Sequence, residues 1–110
     1  MAQNPIKPAY DIAMAGEKLE IRLHREFDAN GRDSDWVNVL VNRFPGPYPQ
    51  VILDLSSLGQ RVNSSFFSGL YRLHQQYTGA GRPPVVLRGA HERVRQGLEI
   101  LALGQFFTLE

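Results

Sequence analysis

The chain opens with two short segments in which apolar and polar positions alternate as they do in β-strands. In the second segment Leu19, Ile21 and Leu23 alternate with charged residues, which is the period-two pattern of a strand with one solvated face. The first segment covers residues 10–14, and Gly16 lies between the two, where a hairpin needs its turn. The pattern therefore predicts an antiparallel pair of strands at the start of the fold.

A helix is predicted between a polar connection and a proline-rich stop. Residues 28–34 are polar, and Asp33 or Ser34 is suited to cap a following helix by accepting hydrogen bonds from its free N–H groups. Apolar residues then recur with the period of a helix and share one face, namely Trp36, Val37, Leu40, Val41 and Phe44. Pro45-Gly46-Pro47 ends this helix because proline cannot continue its hydrogen bonding.

The central segment predicts a buried strand and then a second helix. Residues 51–55 are nearly all apolar, which is typical of a strand covered on both faces in a parallel sheet. After the polar loop 56–63, a helix begins at Asn63 or at one of the two serines that follow it. Gly79-Ala80-Gly81 is predicted to end the helix, because glycine tolerates the left-handed conformation. The apolar face of the helix is formed by Phe66, Leu70, Leu73 and Tyr77, with Phe67 and His74 beside it.

The last third of the chain repeats the alternation of strand and helix. Residues 83–88 predict another buried strand, and the helix after it breaks at Gly104, before a short final strand over 106–109. One face of that helix carries Val94, Leu98 and Leu101. The complete order is ββαβαβαβ, and strands that alternate with helices need crossover connections. The sequence therefore predicts an α/β fold with a mixed, mostly parallel sheet of about five strands.

Composition narrows the classes of protein that the chain can represent. It has 110 residues, no cysteine, and twelve basic against eleven acidic residues, so its net charge is +1. This length fits one domain over residues 1–110 with a core that needs no disulfide, and the balanced charge excludes a polybasic nucleic-acid arm. The apolar runs are far shorter than the roughly 20 residues that span a bilayer, and the N-terminus lacks the core of a secretory signal. We therefore expect a cytoplasmic domain without membrane insertion and without a nucleic-acid partner.

Catalytic and cofactor sites find little support in the sequence. The histidines, His24, His74 and His91, are far apart and lack a second ligand at metal-binding spacing, so we expect surface or half-buried imidazoles and no metal. A Ser-His-Asp triad could be assembled around Ser64, but the Gly-x-Ser-x-Gly elbow is missing, and a small hydrolase is only an alternative. Gly79-Ala80-Gly81 precedes a predicted strand, whereas a dinucleotide-binding glycine loop follows one. The sequence therefore predicts a non-enzymatic protein without a cofactor.

The serine pair at the start of the second predicted helix has the most specific chemistry. Asn63, Ser64 and Ser65 can serve simply as a helix cap, because their side chains accept hydrogen bonds from free N–H groups. A hydroxyl at an exposed helix start is also within reach of a kinase. A phosphate there would lie at the positive end of the helix dipole, so it would disturb the fold little and change a docking surface strongly. Both interpretations stay open at this point.

Four short elements of the chain follow one another in the order of a known group of regulatory domains. Arg25-Glu26-Phe27-Asp28 follows the second predicted strand, and the third strand runs into Asp54-Leu55-Ser56. Asn63-Ser64-Ser65-Phe66-Phe67 opens the second helix, and residues 101–109 complete the last helix and strand. In these elements, and along almost its whole length, the chain resembles a STAS domain, the fold of bacterial anti-sigma-factor antagonists.

The resemblance implies a partner switch that is controlled by a serine. In the family a serine kinase, itself the anti-sigma factor, phosphorylates the first serine of the helix-opening element, which is Ser64 here, with Ser65 as the second choice. The unmodified protein binds the kinase and frees a sigma factor, phosphorylation breaks the complex, and a phosphatase restores it. The aspartate of the earlier element, Asp28, lies close to this serine. The partner-binding surface is then formed by Asp28, Asn63, Ser64, Ser65, Phe66 and Phe67.

Some features favour other uses of the same fold. Asn63 stands where the family has an acid and Phe66 where it has a glycine, which favours a non-phosphorylated scaffold module of a larger complex, such as a stressosome or a lipid-transport assembly. A domain cut from a longer receptor or transporter fits the end of the chain after the last strand. A homodimer through the N-terminal strands is an alternative that no particular residue supports. At the surface, either Phe66 or Phe67 is exposed as an interface anchor, or both are buried between helix and sheet.

Overall fold

The described part of the chain folds as five strands and three helices in the order that the sequence predicts. The computed structural model describes residues 9–59, 62–78 and 83–110. A short 3-10 helix, Gly104–Phe106, precedes the last strand. The other elements are β1 (Tyr10–Ala15), β2 (Lys18–Leu23), α1 (Trp36–Arg43), β3 (Gln50–Asp54), α2 (Ser64–Tyr77), β4 (Val85–Arg88), α3 (Glu92–Ile100) and β5 (Phe107–Leu109).

The strands form one mixed sheet in their sequence order, β1-β2-β3-β4-β5. β1 and β2 are antiparallel, and Gly16 takes the hairpin turn with a φ of +66°, a conformation that glycine adopts without steric cost. β2, β3, β4 and β5 are parallel to one another, with Ile21 opposite Leu53 and Leu53 opposite Leu87. The predicted α/β fold with a mostly parallel, five-stranded sheet is therefore confirmed.

All three helices lie on the same face of the sheet. A crossover between neighbouring parallel strands is right-handed, and the strands are added in sequence order, so each helix is placed on the same side. The core takes alternate residues of each strand, among them Leu19, Ile21 and Leu23 of β2. From the helices it takes Trp36, Val37, Leu40, Phe66, Phe67, Leu70, Leu73, Tyr77, Val94 and Leu98.

The prediction that β3 is buried on both faces is confirmed, although helices of the described ranges cover only one of them. Val51 and Leu53 face the helices, whereas Ile52 points to the other face, where no helix of the described ranges lies. Ile52 is nevertheless only 3% exposed, since the strand register flanks it with Glu20 of β2 and Val86 of β4. Neighbouring strands can thus bury an apolar residue without a second layer of helices.

A row of alternating charges crosses the open face near the ends of the parallel strands. Arg22 Nε lies 3.4 Å from Asp54 Oδ2, and Arg88 Nε lies 2.8 Å from Glu110 Oε1. Partly exposed ion pairs of this kind each contribute about 1 kcal/mol or less, so the row covers the open face without forming a second core. Its members, from β1 to the end of the chain, are Asp11, Arg22, Asp54, Arg88 and Glu110.

The predicted capping of α1 by Asp33 or Ser34 is wrong. The helix begins at Trp36 with Asp35 in the N-cap position, and no side chain accepts a hydrogen bond there. Ser34 is exposed, and the Asp33 carboxylate is turned into the loop, where it accepts hydrogen bonds from two other backbone N–H groups. The free N–H groups of α1 and those of Ala9 and Asp28 compete for the Asp33 carboxylate. The tertiary structure places it against Ala9 and Asp28.

The third helix ends earlier than its apolar spacing predicts. The predicted stop of α2 at 79–81 lies outside the described residues. α3 ends at Ile100, so Leu101, which was predicted to face the core, is 50% exposed. Ala102 turns the chain with a φ of +56°, and Leu103 packs against the core instead. The apolar periodicity of α3 therefore extends one residue beyond the helix that carries it.

Candidate functional site

Ser64 is presented to solvent at the first position of α2. Asn63 is the N-cap residue, and its Oδ1 accepts a hydrogen bond from the Phe66 backbone N–H at 3.0 Å. Ser64 is exposed, and its hydroxyl has no hydrogen-bond partner within the described part of the chain. The capping residue and the candidate phosphoacceptor are therefore different residues, and a change at Ser64 leaves the capping bond in place.

Ser65 has a structural contact that Ser64 lacks. Its Oγ donates a hydrogen bond to Asn30 Oδ1 at 2.9 Å, which joins α2 to the loop between β2 and α1. Ser65 is also half-buried, whereas Ser64 is exposed. A kinase would have to break the bond to Asn30 before it reached the Ser65 hydroxyl. The geometry therefore favours Ser64 as the accessible serine of the pair.

The loop between β2 and α1 is shaped by its own aspartates. Asp28 Oδ1 accepts a hydrogen bond from the Asn30 backbone N–H at 3.1 Å, and the Asp28 backbone N–H donates to Asp33 Oδ2 at 2.9 Å. A Cβ at Gly31 would lie 2.6 Å from Asp28 Oδ2, so the chain passes very close to this carboxylate. Asp28 is half-buried and turned toward its own loop. Within the described residues, Asn30 and not Asp28 makes the hydrogen bond to α2.

A buried carboxylate, Asp33, anchors this loop to the start of β1. Its side chain is 2% exposed and accepts hydrogen bonds from the Ala9 backbone N–H at 3.4 Å and the Asp28 backbone N–H at 2.9 Å. Arg32 Nε lies 3.6 Å from Asp33 Oδ2 and supplies a compensating charge. A buried carboxylate needs such partners, because its removal from water is costly. Asp33 thereby fixes the loop that carries Asn30.

The loop that leads into α2 is held from its other side by His91. His91 Nε2 lies 3.0 Å from the Gly59 carbonyl oxygen, and because a carbonyl only accepts, Nε2 carries the hydrogen. His91 Nδ1 is buried and has no hydrogen-bond partner among the described residues. A Cβ at Gly59 would lie 2.6 Å from the Arg25 carbonyl oxygen. The loops after β2, β3 and β4 therefore converge at one end of the sheet, beside the start of α2.

Neither phenylalanine at the start of α2 is exposed. Phe66 is 1% and Phe67 7% exposed, and their ring centroids lie 5.2 Å apart in an edge-to-face arrangement. Phe67 packs on α3 so closely that a Cβ at Gly97 would lie 2.1 Å from its ring. The expectation of an exposed aromatic anchor is wrong, and the alternative that both rings are buried is confirmed. Consecutive rings can both be buried because α2 packs on the sheet and also on α3.

A polar cavity of about 280 Å³ opens beside Ser64. Sequence reasoning did not single out Ser68 and Arg72, although Ser64, Ser68 and Arg72 are spaced four residues apart and so lie on successive turns of one helix. Arg72 Nη2 donates a hydrogen bond to Asn38 Oδ1 of α1. The lining residues of the cavity are Ala29, Asn30, Ser34, Trp36, Ser64, Ser65, Ser68, Gly69 and Arg72.

The histidines take part in local contacts away from this cavity. All three are half-buried: His24 Nε2 lies 2.9 Å from Asp11 Oδ2, and the His74 ring centroid lies 4.6 Å from that of Phe106. None of them hydrogen-bonds to Ser64 in the described ranges. The same ranges hold no group of three or more acidic or histidine side chains arranged for a metal ion. Nor does any helix within them have the length and apolar character to cross a membrane.

Comparison with known proteins shows a likeness in fold. No protein-family model matches the chain, and no curated protein matches its sequence. The crystal structure of TM1081 from Thermotoga maritima, described as a candidate anti-sigma factor antagonist, is similar with a TM-score of 0.76 at 13% identity, covering 91% of this chain and 84% of that one. The NMR structure of TM1081 has a TM-score of 0.72 at 13% identity, covering 100% and 90%. The chain therefore has the STAS-type fold that its sequence predicts.

Proposed function

We propose that the chain is a cytoplasmic, non-enzymatic regulatory domain of the anti-sigma-factor-antagonist type. It binds a protein partner through the surface around Ser64 and releases that partner when Ser64 is phosphorylated. The observation that carries the proposal is the exposed Ser64 hydroxyl at the first position of α2, beside a cap and a loop that are already held in place. The fold shared with TM1081 supports the same class of function.

The proposed partner is a serine kinase of the anti-sigma type, which would contact the start of α2 and the adjacent loop. The surface residues are Asp28, Asn63, Ser64 and Ser65, joined across the two elements by the bond from Ser65 to Asn30. Phe66 and Phe67, which are buried, support this surface from below and do not contact the partner. The partner therefore meets a polar, pre-organised patch.

A phosphate on Ser64 is compatible with the helix and incompatible with a closely docked partner. The first turn of α2 contains no acidic residue, so the phosphate meets free N–H groups and the positive end of the helix dipole. The phosphate adds a charge of about −2 at pH 7. A partner surface that fits a neutral hydroxyl would have to accommodate this charge and volume. Phosphorylation thus weakens the complex while the fold is retained.

Replacing Ser64 by Asp separates a phosphorylation switch from a scaffold. We expect Ser64→Asp to weaken binding of the candidate kinase about tenfold or more, which corresponds to about 1.4 kcal/mol, because it introduces a negative charge at the contact. Ser64→Ala is the matched control, and it should bind like the wild type because its side chain stays neutral. Calorimetric titration measures both. Equal affinities for the Asp and Ala variants would contradict the switch and favour a non-phosphorylated scaffold module.

A further inference from the structure

Arg72 lies between two cavities on the helical side of the molecule. One cavity, of about 280 Å³, is shared with the side chains of Ser64 and Ser68. The other, of about 210 Å³, lies between α1 and α2 and is also lined by Asn38 and Gln76. Arg72 donates a hydrogen bond to the neutral amide of Asn38, and no ion pair involves it among the described residues. A positive charge therefore stands beside a group of hydroxyls without an acidic partner.

We propose that Arg72 binds the phosphoryl group of phosphorylated Ser64, and that it leaves Asn38 to do so. This inference rests on the proposed phosphorylation of Ser64 and names the residue that holds the modified form. Arg72 then alternates between two acceptors: the Asn38 amide in the unmodified protein and the phosphate in the modified one.

The helix geometry brings the two groups within reach of each other. Ser64 and Arg72 are eight residues apart, about 12 Å along the axis at 1.5 Å per residue. Long side chains in a helix lean toward its N-terminus, so Arg72 extends over Ser68 toward Ser64. Ser64 and Arg72 line the same cavity of about 280 Å³, so the guanidinium and a phosphate on Ser64 face one open space. Ser68, one turn from each, adds a hydroxyl that can donate to a phosphate oxygen.

The exchange of acceptors is favourable because a phosphate is the stronger one. A guanidinium forms two parallel hydrogen bonds to the charged oxygens of a phosphate, whereas the Asn38 amide offers it one neutral oxygen. The carboxylates of the nearby loop already accept hydrogen bonds: Asp28 from Asn30, and Asp33 from Ala9 and Asp28. Neither carboxylate forms an ion pair with Arg72 among the described residues.

The exchange also carries the effect of phosphorylation from α2 to α1. When Arg72 leaves, Asn38 loses the hydrogen bond that joins the exposed sides of the two helices. The cavity between α1 and α2, lined also by Val37 and Val41, loses the side chain that bridges it. The modified protein then differs from the unmodified one on two helices and not only at Ser64.

The test places phosphoserine at position 64 during translation, so that no kinase is needed, and follows the phosphate by phosphorus NMR across pH. We expect the second pKa of the phosphate to be lower by about half a unit or more with Arg72 present than in Arg72→Gln, because a nearby cation favours the dianion. Arg43→Gln removes an arginine from the last turn of α1 and should titrate like the wild type. Arg72→Lys, which keeps the charge without the planar fork, should lie in between. Identical titrations with and without Arg72 would overturn the proposal.

A second readout follows the resonance of the Asn38 side-chain amide. It should move on phosphorylation in the wild-type background and stay in place in Arg72→Gln, whose folded state is checked by thermal unfolding. An Asn38 side-chain resonance that does not shift on phosphorylation in the wild-type background would contradict the exchange. Because the phosphoserine is incorporated during translation, these results do not depend on a kinase. A failure of kinase binding would overturn the proposed function, and a failure here would overturn only the role of Arg72.

Discussion

At the scale of single residues, Asp33 connects the interior of the protein to its candidate surface. Its buried carboxylate accepts N–H groups from both β1 and the loop that follows β2. That loop then reaches α2 through the bond between Asn30 and Ser65. The buried Asp33 carboxylate thereby sets the position of the surface hydrogen bond between Asn30 and Ser65.

Removing the Asp33 carboxylate should therefore destabilise the fold. We expect Asp33→Ala to lower the free energy of unfolding by about 2–3 kcal/mol, because two buried N–H groups lose a charged acceptor. Asp35→Ala is the control, since Asp35 is exposed and its side chain makes no capping bond, and it should change stability by about 0.5 kcal/mol or less. Urea denaturation measures both. Equal losses in the two variants would show that the Asp33 hydrogen bonds do not carry this stability.

Asp54 gives a prediction about acid stability. Burial acts to raise the pKa of Asp54, but hydrogen bonds from the Ser56 hydroxyl and backbone N–H, with Arg22 beside them, lower it below 3.8. A pKa that is lower in the folded state stabilises the protein above the unfolded value, and this stability is lost as pH falls through the folded value. We expect Ser56→Ala, which removes the hydroxyl bond, to flatten the loss of unfolding free energy as pH falls below about 4.

The control for that experiment is the neighbouring serine. Ser57 is exposed and has no hydrogen bond among the described residues, so Ser57→Ala should keep the wild-type dependence on pH. Urea midpoints across an acid pH series provide the measurement. If Ser56→Ala and wild type lost stability in parallel, the hydrogen bond from the Ser56 hydroxyl would not be a cause of the lowered pKa.

Sequence reasoning succeeded for residues whose roles are local and failed for those with distant partners. The start of α2 could be predicted, because the Asn63 cap bonds to Phe66 three residues away. The inward orientation of Asp33 could not be predicted, because one of the N–H groups that donate to it belongs to Ala9, 24 residues earlier. Asn30 was missed for the same reason, since its partner Ser65 lies 35 residues further along the chain.

At the scale of elements, α2 is the helix that packs against both of the other helices. It meets α1 at Gly69, where a Cβ would lie 2.8 Å from Trp36 Nε1, and it meets α3 where Phe67 packs on Gly97. At its far end the Tyr77 hydroxyl donates to the Phe44 carbonyl oxygen at 2.8 Å, and burial, with Tyr48 nearby, raises the pKa of Tyr77 to about 12. The helix that presents Ser64 is thus fixed along its whole length.

A methyl group at Gly97 should disturb this packing. We expect Gly97→Ala to lower the free energy of unfolding by about 1–3 kcal/mol, because the added Cβ would lie 2.1 Å from the Phe67 ring. This outweighs the gain of about 1 kcal/mol that alanine brings inside a helix. Gly104→Ala is the control, since a Cβ there meets nothing within 4 Å. Denaturant unfolding in which Gly97→Ala proved more stable than wild type would contradict the close contact between α2 and α3.

Hydrophobic periodicity predicted the elements because a strand and a helix each bury positions at a characteristic spacing along the sequence. It could not predict their ends and partners. Leu101 continues the apolar spacing of α3, yet the helix stops at Ile100, where the chain turns to bring Leu103 to the core. Ile52 lies in an apolar run and is buried, yet no described helix covers it, because the order of the strands places all the helices on the other face.

At the scale of the whole molecule, the candidate site lies at one end of the sheet. The three loops that follow β2, β3 and β4 converge there, and α2 starts beside them. The almost balanced charge matters at this scale too, since a net charge of +1 changes sign when one phosphate of about −2 is added. A single modification at Ser64 therefore alters both the local surface and the overall charge of the protein.

The measurement that tests the central claim most directly is the position of the phosphate after incubation with the candidate kinase and ATP. Trypsin cleaves after Arg61 and Arg72, so one peptide over residues 62–72 contains Ser64, Ser65 and Ser68 together, and fragmentation in a mass spectrometer tells them apart. The account predicts phosphate on Ser64, and none on this peptide in Ser64→Ala. Phosphate on another residue alone, or no phosphate from a kinase that binds the chain, would contradict it.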